Sequence, residues 1–280
     1  LFFQHRTCSQ KPFLTKETMP SADKPVIALE ARLRGCSNVR TLGVRTNFSD
    51  YPSEEAEMIR SAEKIYYPTP FYADLFDAMG IATFPSYHTY KCVQDKIKQT
   101  ALFTMLGISH PRTRVFYGNR QKSKISQYFS YPFIAKIPRG SALGRGVYLV
   151  RGRRELDDYL AQNPVAYIQE RLSIDRDIRV VVIGKEVAHA YWRVAPEGEF
   201  RSNVACGASI RLDPVPTEAL ELARQTALRC RWDDVGIDIC CCDGTYYVLE
   251  ANMKYGREGF RAAGIDYMRL MEQMIRDGKI

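Results

Sequence analysis

Histidine is scarce, four in 280 residues, and although there are eight cysteines, at positions 8, 36, 92, 206, 230, 240, 241 and 242, none are spaced Cys-x-x-Cys. That combination argues against a zinc site and leaves the cysteines as reduced thiols. No apolar run approaches the roughly 20 residues needed to cross a bilayer, and Leu1-Phe2-Phe3 is far too short for a secretion signal. A cytoplasmic protein without a membrane partner is expected. No internal repeat, low-complexity linker or nucleic-acid motif is present. Lysine and arginine exceed aspartate and glutamate by 40 to 32, and the excess is spread along the chain. Such a balance favours anionic ligands or an acidic peptide over nucleic acid. The one compact basic cluster, Arg151-Gly152-Arg153-Arg154, reads as a turn before a helix from Glu155 to Ala161. An apolar content of 45% is enough for one large core or two to three smaller lobes.

What is present is concentrated in the last third. Val235-Gly236-Ile237-Asp238-Ile239-Cys240-Cys241 and Tyr246-Tyr247-Val248-Leu249-Glu250-Ala251-Asn252 are β-rich runs flanking Asp243-Gly244, a strong hairpin signal. Alternation puts Glu250 and Asn252 on one face. A two-residue turn would send Asp238 to the other face, so an odd loop of Cys242, Asp243 and Gly244 is predicted. Half-exposed strand carboxylates can simply be solvated, but these strands are apolar, and an embedded carboxylate there needs a partner. Asp238, Glu250 and Asn252 are hard oxygen donors that suit magnesium, with manganese as the alternative. Magnesium is commonly held by one or two carboxylates together with substrate phosphates, which implies a nucleotide.

A companion feature runs from Tyr131 to Val150. A strand ending at Lys136 leads into Pro138-Arg139-Gly140-Ser141-Ala142-Leu143-Gly144-Arg145-Gly146, and a second strand follows. Glycines 140, 144 and 146 let backbone amides approach phosphate oxygens, and Lys136 supplies a point charge. Alone, such a loop is an ordinary surface turn. It is not a P-loop, because no Gly-Lys-Ser/Thr follows and the next element is a strand.

The order of these motifs with Tyr167-Ile168-Gln169-Glu170, Asp177-Ile178-Arg179 and Phe200-Arg201-Ser202-Asn203 resembles the RimK-like branch of the ATP-grasp ligases, from about Cys92 to the C-terminus. The resemblance implies an α+β ATP-grasp fold, two α+β subdomains gripping ATP, preceded by a small α/β lobe. It implies that Lys96 and Lys136 hold α- and β-phosphate oxygens beneath Gly140, Ser141, Gly144 and Gly146. Glu170 would receive the adenine amino group, with Arg171 and Leu172 offering hinge backbone groups, and Asp177 would take the ribose hydroxyls. Arg201 and Asn203 would lie along the triphosphate, Asp238, Glu250 and Asn252 would bind magnesium, and Arg193 and Arg257 are candidates for a substrate carboxylate. Arg201 and Arg193 are the positions expected to act in catalysis. The implied reaction is ATP-dependent joining of a carboxylate to an amine through an acylphosphate, adding an amino acid such as glutamate to a peptide or small acid. The alternative is an ATP-binding module without ligase activity. Val204-Ala205-Cys206-Gly207 and Lys254-Tyr255-Gly256-Arg257 stand where the family often has histidine with paired glycines and a Ser-Pro-Gly turn, which leaves the acceptor open. Oligomeric state is open as well, a homo-oligomer included.

Ahead of the grasp, Pro25 to Leu29 and Lys64 to Tyr67 read as strands, and Ser53 to Ala62 and Phe71 to Met79 as helices. Residues 1–24 read as a terminal tail or expression remnant, 25–90 as the lobe and 91–280 as the grasp, divided into 91–166 and 167–280. Val93, Ile97, Ala101 and Met105 suggest a core-facing helical stripe ended by Gly107 and Pro111. Further helices are expected over Thr217 to Arg231 and Ala263 to Arg276. Phe129, Tyr131 and Phe133 read as packing rather than a base-stacking platform. His189, on an apolar strand, is given no role.

Overall fold

Three sheets organise residues 26–140, 146–198 and 207–280, which the computed structural model of the chain describes. The first is parallel, built from β1 (Val26–Ala28), β2 (Val39–Thr41), β3 (Lys64–Tyr66) and β4 (Ala82–Phe84) in the order β2-β1-β3-β4. Helices α1 (Ser53–Arg60) and α2 (Pro70–Ala78) lie in the β2–β3 and β3–β4 crossovers, and a 3-10 turn at Ala31–Leu33 lies in the β1–β2 crossover. Thr69 caps α2 by accepting from the Tyr72 amide, and Pro70 occupies the first turn, where its missing N–H costs nothing.

Helices α3 (Tyr87–Val93) and α4 (Lys96–Leu106) then lead into the second sheet, which is antiparallel. It contains β5 (Thr113–Tyr117), β6 (Phe133–Lys136), β7 (Val147–Val150) and β8 (Val165–Glu170), ordered β5-β8-β6-β7. The short helices α5 (Gly118–Lys122) and α6 (Ile125–Tyr128), with α7 (Arg153–Gln162), accompany it. Phe129 and Phe133 are buried in this sheet's core, and Tyr131 stacks on Phe133 with ring centroids 5.1 Å apart, so these aromatics pack as expected. Because β8 pairs with β5 and β6, Tyr167 to Glu170 belong to the second sheet, and the division expected at 166/167 moves to the segment after Glu170.

The third sheet, also antiparallel, is ordered β11-β10-β9-β12-β13. Its strands are β9 (Arg176–Ile183), β10 (Glu186–Val194), β11 (Ser209–Arg211), β12 (Asp234–Cys242) and β13 (Thr245–Asn252), with α8 (Thr217–Cys230) lying against it. One face buries Ile178, Val180, Val182, Ile237, Ile239, Val248 and Ala251 against α8 and Phe103 of α4. On the other face, Val181 and Ile183 share a core with Ala28, Leu33 and Tyr66 of the first sheet's lobe and with α9 (Glu258–Ala262) and α10 (Tyr267–Arg276). The lobe therefore shares its core with the third sheet.

Two helix expectations are corrected. The stripe through Ala101 and Met105 is not core-facing. Met105 is 83% exposed, Val93 belongs to the preceding helix, and α4 buries Gln99, Thr100 and Phe103 instead. The last helix begins at Tyr267, not Ala263, because Gly264 takes a left-handed φ of 68° and Asp266 caps a new start.

The most consequential correction lies in the β12–β13 hairpin. The loop is the two-residue turn Asp243-Gly244, with φ of 48° and 74°, as a type I′ turn demands. Cys242 pairs with Thr245 and Ile239 with Val248, but Asp238 pairs with Glu250, so Leu249 is the extra residue of a β-bulge. The bulge, rather than an odd loop, restores the parity. It lets Val248 and Ala251 both enter the core while Glu250 turns to the face that carries Asp238.

Candidate active site

The charged face of the third sheet is assembled by strand alternation. Asp177 and Arg179 on β9, Arg193 on β10, Asp238 on β12 and Glu250 and Asn252 on β13 lie opposite the apolar core face. Arg193 Nε and Nη2 donate to the two Asp177 oxygens at 2.7 and 2.6 Å. Its Nη2 also lies 3.0 Å from Asp238 Oδ2. Arg179 closes on the same Asp238 carboxylate, Nε to Oδ1 and Nη2 to Oδ2 at 3.1 Å. All four groups are buried. Burial lowers the Arg193 pKa, but the Asp177 and Asp238 charges outweigh it and the net shift is upward. Removing any one member would leave a buried charge uncompensated, which typically costs about 3–5 kcal/mol.

Two lysines arrive from elsewhere. Asp95 caps α4 by accepting from the Ile97 and Lys98 amides, and this sets Lys96 in the first turn with its Nζ 3.4 Å from Glu250 Oε2. Lys136 ends β6 of the second sheet and is buried. Burial is the main reason its pKa is lowered; Glu250 opposes that shift and Lys96 adds to it. The Asp238 carboxylate also acts on Lys136, so the end of the second sheet faces the carboxylates of the third. Around the glycine-rich loop, Ile137 N donates to Gly146 O at 2.7 Å, and Arg139 Nε reaches Asp95 Oδ2 at 2.7 Å. Gly140 and Gly146 have left-handed φ of 69° and 75°. The expected strand–loop–strand is thus seen at its two ends, while Ser141, Gly144, Arg201 and Asn203 lie outside the described residues.

Glu250 accepts from Asn252 Nδ2 at 3.0 Å. Burial by itself would raise its pKa, but Lys96 and Lys136, with the Asn252 hydrogen bond, bring it down from 4.5 to about 2. A carboxyl lowered in this way contributes stability that is fully present above about pH 4.5 and is lost as pH falls through about 2. Thermal unfolding followed down this range should show a declining acid limb that is shallower in Glu250→Gln. Equal slopes in the two proteins would contradict the pairing.

The donor set fits a magnesium ion. A carboxylate offers about four acceptor positions. Asp238 spends three on the arginines, whereas Glu250 keeps more in reserve. Lys96, Lys136, Arg179 and Arg193 stand against Asp177, Asp238 and Glu250, an excess of positive charge that suits a polyphosphate bringing its own cation better than a bare cation.

Several expectations change in detail. Arg193 was expected to offer an open fork to a substrate carboxylate, but Asp177 already occupies it; for the same reason both Asp177 oxygens meant for ribose hydroxyls are engaged. Arg257 donates to the Arg32 carbonyl at 3.1 Å and lies 4.4 Å over the Tyr267 ring, so it ties the lobe to the loop after Asn252. Glu170 is turned to Arg112 on the neighbouring chain segment, and Arg171 and Leu172 lie in the connection between the second and third sheets. His189 approaches the Gly259 carbonyl at 3.1 Å and stacks on Tyr191, a packing residue. The buried Cys240 thiol is pushed up to about 12, first by burial and then by Asp177, so it is no nucleophile. Arg179 was missed, although its place two residues after Asp177 on one strand puts it on the same face.

Gly236 on β12 is needed for close approach. A Cβ there would collide with the Cβ of Tyr255 and come within 3.0 Å of Arg179 Cδ. Gly236→Ala should therefore lower stability by about 1–3 kcal/mol, read by denaturant unfolding, through displacement first of Tyr255 and then of Arg179. A variant of unchanged stability would show that this contact yields freely.

A helix and a sheet carry lysines toward the carboxylates of another sheet, and ATP-grasp proteins of solved structure share this fold. The RimK domain ATP-grasp protein from Sphaerobacter thermophilus superposes over 89% of this chain and 98% of its own, with a TM-score of 0.66 at 14% identity. Residues 93–276 match the RimK-like ATP-grasp domain, and the chain belongs to this family. The family resemblance read from the sequence is thereby borne out. Among curated relatives, a "Probable alpha-L-glutamate ligase" of Parasynechococcus marenigrum is 31% identical over 208 residues, 71% of this chain and 44% of its own length. A "Ribosomal protein bS6--L-glutamate ligase" of Escherichia fergusonii is 30% identical over 181 residues, 62% of this chain and 60% of its own length. The chain thus spans about half the length of these relatives. No helix among the described residues is long and apolar enough to cross a membrane.

Proposed function

We propose that this chain is an ATP-dependent, ADP-forming carboxylate–amine ligase that joins an amino acid such as glutamate to a peptide or small acid. The observation that carries the reading is the convergence of Lys96 of α4 and Lys136 of the second sheet on Glu250 of the third, beside the Asp238 carboxylate. Glutamate as the amine is supported by the names of the two relatives.

Phosphoryl transfer needs little covalent chemistry from a protein and much positioning and charge neutralisation. A substrate carboxylate oxygen forms a bond to the γ-phosphorus as the bond to ADP breaks. An amine nitrogen then attacks the acyl carbon, phosphate leaves, and the nitrogen loses a proton. In this scheme Lys96 and Lys136 bind phosphate oxygens, and Glu250, Asn252 and the remaining acceptor position of Asp238 would hold magnesium, which would supply charge neutralisation at the phosphates. The Arg179–Arg193 pair fixes Asp238 and adds positive field to the phosphate side. Arg201 and Asn203 belong to the same scheme as residues along the triphosphate, and no side-chain nucleophile is required.

The test is release of phosphate and ADP when the protein is incubated with ATP, magnesium, a pool of amino acids and a pool of small carboxylates and acidic peptides, with mass spectrometry of the product. Stoichiometric ADP and an amide product that both require glutamate or another amino acid are expected. Tight ATP binding with no phosphate release in any combination would instead favour a nucleotide-binding module.

A further inference from the structure

Among the described residues the outer edge of β13 has no strand beside it, yet several of its backbone groups are taken. Val248 N donates to the Ser109 carbonyl at 2.9 Å, and the Ser109 hydroxyl donates to Tyr246 O at 2.7 Å. Beyond the bulge the next outward residue is Ala251, and a single side chain serves both of its groups. Gln99 Nε2 donates to Ala251 O at 2.9 Å, and Ala251 N donates to Gln99 Oε1 at 2.8 Å. The same Nε2 donates to Val93 O at 2.6 Å. Gln99 is 3% exposed, so its primary amide works as a one-residue strand, with both donors and its acceptor used inside the protein.

Its place gives the clamp meaning. Ala251 is the residue between Glu250 and Asn252, and Gln99 lies one helical turn after Lys96, whose ammonium pairs with Glu250. Helix α4 therefore grips this short stretch of β13 twice, once through the Glu250 carboxylate and once through the adjoining backbone. The bulge at Leu249 has already interrupted the regular ladder there, so β12 alone fixes this end of β13 less firmly than an unbroken pairing would.

We propose that Gln99 is a positioning residue for the ligase site, setting the height of Glu250 and Asn252 against Lys96. This rests on the proposed reading of the face as a magnesium–ATP site. A bracing role alone would change stability; a positioning role changes how the edge holds magnesium.

The experiment compares wild type with Gln99→Met, close in shape but without polar atoms, and Gln99→Glu, which keeps an acceptor for Ala251 N and at most one of the two donors, the O–H of a protonated carboxyl. Three quantities are read: unfolding temperature, hydrogen exchange of the peptide covering 249–253, and the magnesium concentration giving half-maximal ATP binding. Both variants are expected to raise that magnesium concentration by about tenfold or more, as loss of outer support for metal ligands commonly does. Exchange at 249–253 is expected to quicken by about a hundredfold while the rest of the third sheet keeps its protection, which marks a local opening. Should Gln99→Met fail to fold, Gln99→Glu carries the comparison. A lower unfolding temperature with unchanged magnesium dependence in the folded variants would overturn the inference and leave the functional reading standing. Wild-type protein that binds no ATP at any magnesium concentration would overturn that reading and the inference with it, whatever the exchange rates show.

Discussion

Glu250→Gln reduces magnesium-dependent ATP turnover by about a hundredfold or more while the protein remains folded; this is the largest loss expected from any single substitution that keeps side-chain volume. The amide can still accept from Asn252, but it brings no charge between Lys96 and Lys136, which then face each other with one carboxylate fewer. Stability is expected to fall by about 1–3 kcal/mol at neutral pH, the scale of one charge-assisted contact. Raising magnesium recovers only part of the rate, since the ligand itself is altered. Steady-state phosphate release across magnesium concentrations, with circular dichroism as the control for folding, gives the answer. Unchanged turnover would remove Glu250 from the metal site.

Lys136→Met should separate function from stability. The ammonium is buried and its pKa is lowered chiefly by that burial, so its charge is held at a cost in the folded protein. An apolar side chain of similar length removes the cost, and the unfolding temperature is expected to stay level or rise. ATP binding should weaken about 10- to 100-fold, corresponding to the loss of one charge-assisted hydrogen bond worth about 1.5–3 kcal/mol. Such opposed changes mark a residue retained for function. Measuring both on one sample decides the matter: a variant that loses stability yet binds ATP normally would show that Lys136 serves the fold.

Much of this architecture was legible because alternation and turn chemistry are local. The lobe's β1 and β3 and its two helices, the strand–loop–strand around Gly140 and Gly146, the start of α4 at Asp95-Lys96 and the presence of a hairpin at Asp243-Gly244 all follow from short-range signals. Strands β2 and β4 were not read, since they form the two edges of the first sheet and lack the buried apolar pair that marks the equally short β1 and β3. The bulge escaped for a related reason. Glu250 facing Asp238 required one parity change, and a loop of odd length and an extra residue at Leu249 supply it equally well on paper. Only the pairing of Val248 and Ala251 with the core tells the two apart.

The site was legible by residue type more than by partnership. Asp177, Arg193 and Asp238 were each singled out, but that they satisfy one another is a property of strands distant in sequence. Arg257 likewise reads as an anion fork until the lobe's Arg32 carbonyl is seen against it. Gln99 gave no signal at all, because a lone glutamine on a helix is most often a solvated residue, and its burial depends on the unpaired edge of a strand some 150 positions on, the separation to Ala251 being 152.

The central claim is that Lys96 of helix α4, Lys136 of the second sheet and the carboxylate edge of the third form one site for magnesium and a triphosphate. Calorimetric titration of ATP into the protein, first with magnesium and then with a chelator in its place, tests it most directly. The account predicts saturable binding of one ATP per chain with magnesium and at least about tenfold weaker binding without it. Equal affinity under both conditions, or no binding in either, would contradict it.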